Sequence, residues 1–274
     1  ESECKFCQSV GRSFAQSALR FVDEETLMKF KDEPVIMLKA ISFDNLAAIA
    51  IPLLFEKIKL LPHNILQRPE KIDINIDQDG IMKVLPQLFM MMRTTQPKGF
   101  HIAITQMLLD KLTDENRNSI LENVMEEQLG DFGKNTDADF IPMFIRSSED
   151  TAHHVLDLIL KKITEQRNAA NTRRARGWFE DITERYDWPS DELSRILCNF
   201  IDIPFDDKKV SDRKKAEDAL GWVVGYLSMN RKKNIPEEPF KPYLEKFEKT
   251  NSRTLQVLVQ ALKNIDEAVN EGQE

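Results

Sequence analysis

Glycine is scarce in this sequence. Nine glycines occur in 274 residues, whereas glycine makes up about 7% of an average protein. Folds that need many tight turns, and sites that cradle phosphate in glycine-rich loops, are therefore disfavoured. The scarcity favours helices joined by short polar links.

Cysteine is also rare, and the number is odd. Three cysteines, Cys4, Cys7 and Cys198, cannot form a disulfide framework, so we expect an intracellular protein, cytoplasmic or nuclear. Cys4 and Cys7 have the spacing of half a zinc site, but no second Cys or His pair follows at a matching spacing. We expect no metal site, and we expect Cys198 to be an inert thiol beside an apolar helix face.

Membrane-spanning and catalytic signatures are absent as well. The longest apolar run, Leu46 to Phe55, contains Pro52 and is too short to cross a bilayer. The motifs of zinc hydrolases, serine hydrolases, P-loops and dinucleotide-binding folds do not occur. We expect no membrane contact, no cofactor and no enzymatic activity, although distant acidic residues could still assemble a metal-dependent site. No signal segment is expected at the start, and because Glu1 is not methionine we expect a piece of a longer protein.

Apolar residues recur at helical spacing along most of the chain. We predict about fourteen helices in about seven pairs of roughly 40 residues, a spacing typical of HEAT and armadillo repeats. No repeat consensus recurs residue by residue. The sequence therefore predicts an all-α fold of antiparallel helix pairs, either a HEAT/armadillo-like α-solenoid or an irregular helical domain. Helix N-caps are expected at Thr113, Ser147 or Ser148, Ser190, Ser211 and Ser252.

The predicted domain organisation is a single helical-repeat domain over residues 1–274, with a possible subdivision near 130–139. Between residues 62 and 80 the pattern changes, because isoleucines alternate with Asp and Asn at residues 72–77. A period of two is typical of a strand. Since no other segment resembles a strand and isolated strands are unstable, we predict an extended loop.

Basic residues are clustered in a chain whose formal net charge is −8. The first island, Arg167 to Arg176, lies in a predicted turn between helices. The second runs from Lys208 to Lys215 and the third from Arg231 to Lys233. If the helices pair as predicted, the first two islands adjoin on one edge of the fold and the third lies on the opposite edge.

These islands supply the candidate binding residues. Arginine forms bidentate contacts with carboxylate or phosphate groups, and a tryptophan offers a stacking face to a base or a partner side chain. A solvated surface paired with neighbouring acidic residues is the alternative interpretation. The candidates for contact with a partner or with phosphate are Arg167, Arg173, Arg174, Arg176, Trp178, Lys208, Lys209 and Lys214.

Two glycines and a methionine are candidates for helix packing or dimer contact. Gly221 and Gly225 are four residues apart in a predicted helix, where each costs about 1 kcal/mol relative to alanine. Two missing side chains on one face allow another helix to approach, within the fold or across a dimer. Met91 belongs to a run of three methionines, which suits core packing or an adaptable binding surface.

Three functions are compatible with these features. The first is a non-catalytic scaffold domain that takes a protein partner, either a peptide or a helix. The second is an RNA-associated helical-repeat domain that contacts phosphates through the basic edge, although the acidic net charge disfavours nonspecific RNA binding. The third is a homodimerisation module that uses the Gly221 helix or the Met90 region.

Overall fold

Helices account for the fold, as the apolar spacing predicts. The computed structural model describes residues 13–14, 17–94, 99–130, 140–165, 169–236 and 238–270. Within these ranges the chain forms α-helices and short 3₁₀ turns, and it has no β-strand. The all-α prediction is confirmed.

The helices are numbered here in chain order, and residues 13–14 and 17–19 are also helical. Short 3₁₀ turns occur at Ile58–Leu60, Pro69–Lys71, Arg231–Lys233 and Glu238–Phe240. The helices are α1 (Glu24–Lys29), α2 (Pro34–Ala40), α3 (Asp44–Glu56), α4 (His63–Leu66), α5 (Gln78–Thr94), α6 (Gly99–Lys111), α7 (Asp114–Gly130), α8 (Ile141–Ser147), α9 (Glu149–Glu165), α10 (Ala169–Arg185), α11 (Ser190–Ile201), α12 (Val210–Met229), α13 (Lys241–Glu248) and α14 (Arg253–Asn270).

The chain divides into two compact units, and the division lies within α9. Unit 1 is Glu1–Val155 and unit 2 is Leu156–Glu274. The single helical-repeat domain over residues 1–274 stays a prediction. Its possible subdivision near 130–139 falls almost wholly outside the described residues.

The isoleucine-rich segment of unit 1 is extended and packs against helices on one side. Ile74 and Ile76 are buried, whereas the Asp and Asn residues beside them are exposed, as a period of two requires. The Asn75 amide donates to the Ile41 carbonyl at 3.0 Å, and Lys111 Nζ donates to the Ile74 carbonyl at 2.6 Å. The backbone of this segment is thus fixed by single hydrogen bonds to helical neighbours. The rest of the predicted 62–80 loop includes α4 and a 3₁₀ turn.

A buried polar network joins the N-terminal ends of α7 and α9 in unit 1. Arg117 is 4% exposed, and its Nη1 donates to Asp114, to Ser148 at 2.9 Å and to Thr151 at 3.1 Å. The Ser148 hydroxyl donates to Asp114 Oδ1 at 2.6 Å. This hydrogen bond and the nearby Arg117 charge lower the pKa of Asp114. Asp114 is therefore held as a carboxylate.

Helices α7 and α9 of unit 1 run parallel. Further along α7 and α9, Glu122 Oε1 lies 3.1 Å from His154 Nε2. Contacts between the two helices thus follow the same order in both, with offsets of 31 to 37 residues. Helices that recur in parallel at such offsets are typical of two-helix repeats. The α-solenoid itself stays a prediction.

Unit 2 contains the same kind of parallel pair in α10 and α12. Three side-chain hydrogen bonds join these helices, each between residues 42 or 43 positions apart. Their order is the same along both helices, so the helices run parallel and begin at the same end of the unit. The three bonds are Arg176 Nη1 to Asp218 Oδ2 (2.7 Å), Trp222 Nε1 to Glu180 Oε1 (2.6 Å) and Tyr226 Oη to Thr183 Oγ1 (2.8 Å).

An aromatic cluster fills the space between α10, α11 and α12. The rings of Phe200 and Trp222 are 4.8 Å apart, and those of Phe179 and Tyr226 are 5.1 Å apart. Phe179 and Phe200 are almost completely buried. Because truncating a buried Phe costs about 3–5 kcal/mol, this cluster fixes how α10 lies against α12.

The last helix, α14, also runs parallel to α12. The Ser252 hydroxyl donates to Glu217 Oε1 at 2.7 Å near the start of α14, and Leu258 lies beside Gly221 one turn further along. The N-terminal ends of α10, α12 and α14 therefore point the same way within unit 2. This common end carries the candidate site.

Candidate partner-binding surface

The arginine-rich segment is part of a helix rather than a turn. Helix α10 begins at Ala169, about ten residues before the helix predicted at Phe179. The prediction was wrong because alanine and arginine, which dominate this segment, are strong helix formers. Arg173, Arg174 and Arg176 therefore lie in the first turns of α10. Arg167 lies outside the described residues.

Arg176 does not face solvent, which corrects its assignment as a contact for a partner or phosphate. The residue is 8% exposed. Its Nη1 donates to Asp218 Oδ2 at 2.7 Å, and its guanidinium carbon is 5.2 Å from the centre of the Trp222 ring. Arg176 is committed to the packing of α10 against α12.

Trp178 cannot offer a stacking face, which corrects a second assignment. It is 2% exposed. Ala175 and Ile182 lie three residues before it and four residues after it, and both are buried. Residues at these spacings share a helix face, so Trp178 belongs to the inward face of α10.

The other described candidates lie at the surface of unit 2. Arg173, Lys208, Lys209 and Lys214 are exposed, and Arg174 is half-buried. Lys209 Nζ is 3.9 Å from Asp206 Oδ2, which is a long contact for an ion pair in water. We call the set Arg173, Arg174, Lys208, Lys209 and Lys214 the basic edge.

Helix register brings the two halves of the basic edge together. Arg173 is three residues before Arg176, and Lys214 is four residues before Asp218. Residues three or four apart lie on one helix face. Since Arg176 and Asp218 touch, the register places Arg173 and Lys214 at the next turn of α10 and of α12, closer to the N-terminal ends. This register favours the predicted adjacency of the first two basic islands, which stays a prediction.

The position of these cations is electrostatically unfavourable. A helix N-terminus carries partial positive charge and is stabilised by carboxylates. Helices α1, α3, α5, α7, α9 and α11 have Asp or Glu in the first turn. Helices α10 and α14 have none there, as is also true of α2, α6, α8 and α13, and α12 has Asp212. In α10 and α12, exposed cations lie near the N-terminal ends, where the helix dipole favours anions.

The third basic island lies where cations are stabilising. It follows the C-terminal end of α12, and Lys233 Nζ donates to the Thr183 carbonyl near the C-terminal end of α10. Burial lowers the pKa of Lys233. Cations at helix C-termini complement the dipole, so the structural role of this island is clear. The cations of the basic edge lie near helix N-terminal ends instead.

The predicted packing residues lie in ordinary helical surroundings. A Cβ built on Gly221 would meet Leu258 Cδ1 at 3.8 Å, and one built on Gly225 would meet nothing within 4 Å. The neighbour of Gly221 is therefore α14 of the same chain. Met91 is half-buried, between Met90, which is exposed, and Met92, which is buried.

Two exposed cations at the same end escaped the sequence analysis. Lys215 follows Lys214 in α12, and Arg253 is the first residue of α14. Lys215 belonged to the second island but was not singled out. Arg253 gave no signal because it stands apart from the islands in sequence. Only the parallel arrangement of α12 and α14 brings it to this end.

Chemistry at the cysteine is disfavoured. Cys198 is buried, and its Sγ donates to the Pro239 carbonyl at 3.2 Å. Burial raises the pKa of this thiol to about 12, so the reactive thiolate is scarce. In the described parts of the chain no three His, Cys, Asp or Glu residues group as metal ligands. Across these same ranges, every helix is too short or too polar to cross a membrane.

Comparison with known proteins does not assign the chain to a family. No family model, no curated protein and no solved structure matches it. Its function must therefore be inferred from its own side chains and contacts.

Proposed function

We propose that the chain is a non-catalytic protein-binding domain whose basic edge takes an acidic segment of a protein partner. The observation that carries this proposal is the row of exposed cations at the N-terminal ends of the parallel helices α10 and α12. Such cations oppose the helix dipoles. Features that lower stability without structural compensation are typical of functional sites.

The nearby carboxylates are partly engaged by the fold itself. Residues 206–215 contain five cations and three carboxylates. Asp207 Oδ2 accepts from the backbone and side-chain nitrogens of Asn251 at 3.1 and 2.9 Å. Asp206 Oδ1 accepts from the Lys208 amide at 3.0 Å. The lysines therefore keep charge that an acidic partner can neutralise, and this attraction also steers the encounter.

The surroundings favour a protein partner over RNA. Binding of single-stranded RNA combines cations with aromatic side chains on which bases stack. Trp178 is buried, and no aromatic side chain that the structure describes in unit 2 is exposed. An acidic peptide needs neither stacking nor a long basic track.

Affinity purification with and without nuclease tests the proposal. The basic-edge variant replaces Arg173, Lys208, Lys209 and Lys214 by Glu. The control variant replaces Arg231 and Lys232, which are exposed in the third island, by Glu. We expect partners to survive nuclease and to be lost only from the basic-edge variant.

Two results would contradict this. Partners that remain on the basic-edge variant would exclude this surface as the binding site. If the partners disappear after nuclease treatment, the binding depends on RNA, and RNA rather than a protein segment is the partner.

A further inference from the structure

Ser211 lies within the basic edge and presents a hydroxyl to solvent. It is the second residue of α12 and is exposed. Its Oγ donates to Asp212 Oδ1 at 3.3 Å. The predicted N-cap role was wrong, because the helix begins at Val210 and Lys209 occupies the cap position. The Ser211 side chain is therefore not needed to satisfy the amides of the first turn.

The sequence before Ser211 is one that charge-reading protein kinases select. Lys208 and Lys209 precede it by three and two residues, where acidic groups of such kinases bind basic side chains. Ser211 is the only serine of the chain with cations at both positions. Thr164 shares the spacing, but it lies at the C-terminal end of α9, where a phosphate would oppose the dipole.

The segment can reach an extended, substrate-like conformation at small cost. Lys208 and Lys209 precede α12 and lie outside it. Opening the first turn breaks the hydrogen bonds from the amides of Asp212 and Arg213 to the Lys209 carbonyl, each 3.1 Å long. First turns fray readily because their amides have few partners.

We propose that Ser211 is phosphorylated by a protein kinase that selects basic substrates, and that the phosphate releases the acidic partner from the basic edge. The transfer forms a bond between Ser211 Oγ and the γ-phosphorus of ATP and breaks the bond from that phosphorus to ADP. The hydroxyl proton passes to the catalytic carboxylate of the kinase, and ADP leaves. The release, but not the modification, rests on the proposed function.

The phosphate has opposite effects on stability and on binding. It brings a charge of about −1.5 to −2 to the N-terminal turn of α12, where amides and dipole favour an anion. Lys208 and Lys214 are three residues away on either side and can pair with it. The phosphate therefore stabilises α12 and occupies cations that the partner uses.

A kinase reaction on the purified full chain tests the modification. The chain is incubated with ATP and the catalytic subunit of a kinase that requires basic residues before serine, and the incorporated phosphate is weighed by intact mass and located by peptide mapping. Ser228→Ala is the matched control, because Ser228 is exposed near the other end of α12 and lacks preceding cations. Thr164→Ala tests the second site of equal spacing.

We expect one phosphate, which Ser211→Ala abolishes and neither control affects. Phosphorylation should raise the midpoint of thermal unfolding by about 2 to 4 °C. Incorporation that persists in Ser211→Ala would overturn the site. A lowered midpoint in the phosphorylated protein would overturn the stabilisation of α12 by the phosphate.

Binding of a fluorescein-labelled peptide of about ten glutamates tests the release. At about 0.1 M salt we expect phosphorylation to weaken this binding about tenfold or more. If phosphorylation left the peptide affinity unchanged, the proposed release of the partner would be refuted, but the site of phosphorylation would not. Absence of peptide binding to the unphosphorylated protein would refute the proposed function and the release with it. Intact mass and peptide mapping would still decide whether Ser211 is the site of phosphorylation.

Discussion

Replacing Arg176 by alanine separates a structural arginine from the binding arginines beside it. Arg176 and Arg173 are three residues apart on α10, and both belonged to one basic island in the sequence. The structure buries Arg176 against Asp218 and Trp222 and leaves Arg173 exposed. We therefore expect Arg176→Ala to lower the free energy of unfolding, and Arg173→Ala to leave it nearly unchanged.

The expected loss for Arg176→Ala is about 2 kcal/mol. The buried methylene stem contributes about 2 kcal/mol, and the guanidinium over Trp222 adds about 0.5–1 kcal/mol. The ion pair adds only about 0.5 kcal/mol, because the Asp218 side chain is 69% exposed. Removing the arginine also removes its buried Nε, which has no hydrogen-bond partner, and this recovers about 1 kcal/mol.

Urea unfolding followed by tryptophan fluorescence measures the loss of unfolding free energy in unit 2, which contains Arg176. All three tryptophans, Trp178, Trp188 and Trp222, belong to unit 2, so their emission reports the unit that contains Arg176. For Arg173→Ala the change should stay within about 0.5 kcal/mol. The reasoning would be refuted if Arg176→Ala unfolded at the wild-type urea concentration, or if it lost acidic-peptide binding at unchanged stability.

Three further predictions concern the basic edge, Asp114 and Gly221. The charge-reversed basic-edge variant should have a free energy of unfolding about 0.3–1 kcal/mol higher than the wild type, measured by urea unfolding, because Glu complements the helix dipoles. Lower stability of this variant would contradict the claim that the cations oppose the dipoles. The lowered pKa of Asp114 stabilises the fold above the usual pKa, so circular dichroism should show stability falling as the pH drops below about 4. Asp114→Asn should be less stable than the wild type at pH 7, and a gap that does not narrow in acid would count against this. Gly221→Ala should raise the midpoint of thermal unfolding, because alanine has a higher helix propensity by about 0.5–1 kcal/mol and its Cβ would lie at an ordinary contact distance of 3.8 Å from Leu258. A lowered midpoint would show that α12 and α14 need glycine at this position to pack.

Local sequence signals predicted where most helices lie but not which way every side chain points. The caps at Thr113, Ser148 and Ser252 are confirmed, because each hydroxyl oxygen accepts a hydrogen bond from the amide three residues later. The caps at Ser190 and Ser211 were wrong, because both residues are already helical and Pro189 and Lys209 precede the helices. These errors move a helix boundary by one residue at Ser190 and by two residues at Ser211, and they leave the fold class unaffected.

The errors at Arg176 and Trp178 have a different physical origin. Whether a residue of α10 is buried depends on α12, which contributes Asp218 and Trp222 about 40 residues later in the chain. The residues near Arg176 in the sequence do not predict its contact with α12. Conversely, the neighbourhood of Arg173 and Lys214 follows from the helix register alone once α10 and α12 are known to be parallel. The sequence could therefore predict that two basic islands lie near each other, but it could not predict which of their residues are exposed.

Fluorescence anisotropy of the labelled glutamate peptide tests the central claim most directly. The wild type, the basic-edge variant and the Arg231→Glu/Lys232→Glu control are titrated at two salt concentrations. The proposed function predicts that the basic-edge variant binds at least about tenfold more weakly, a loss of about 1.4 kcal/mol. It also predicts that added salt weakens wild-type binding and that the control binds like the wild type. Equal affinity of the wild type and the basic-edge variant would contradict the claim that this edge is the binding surface.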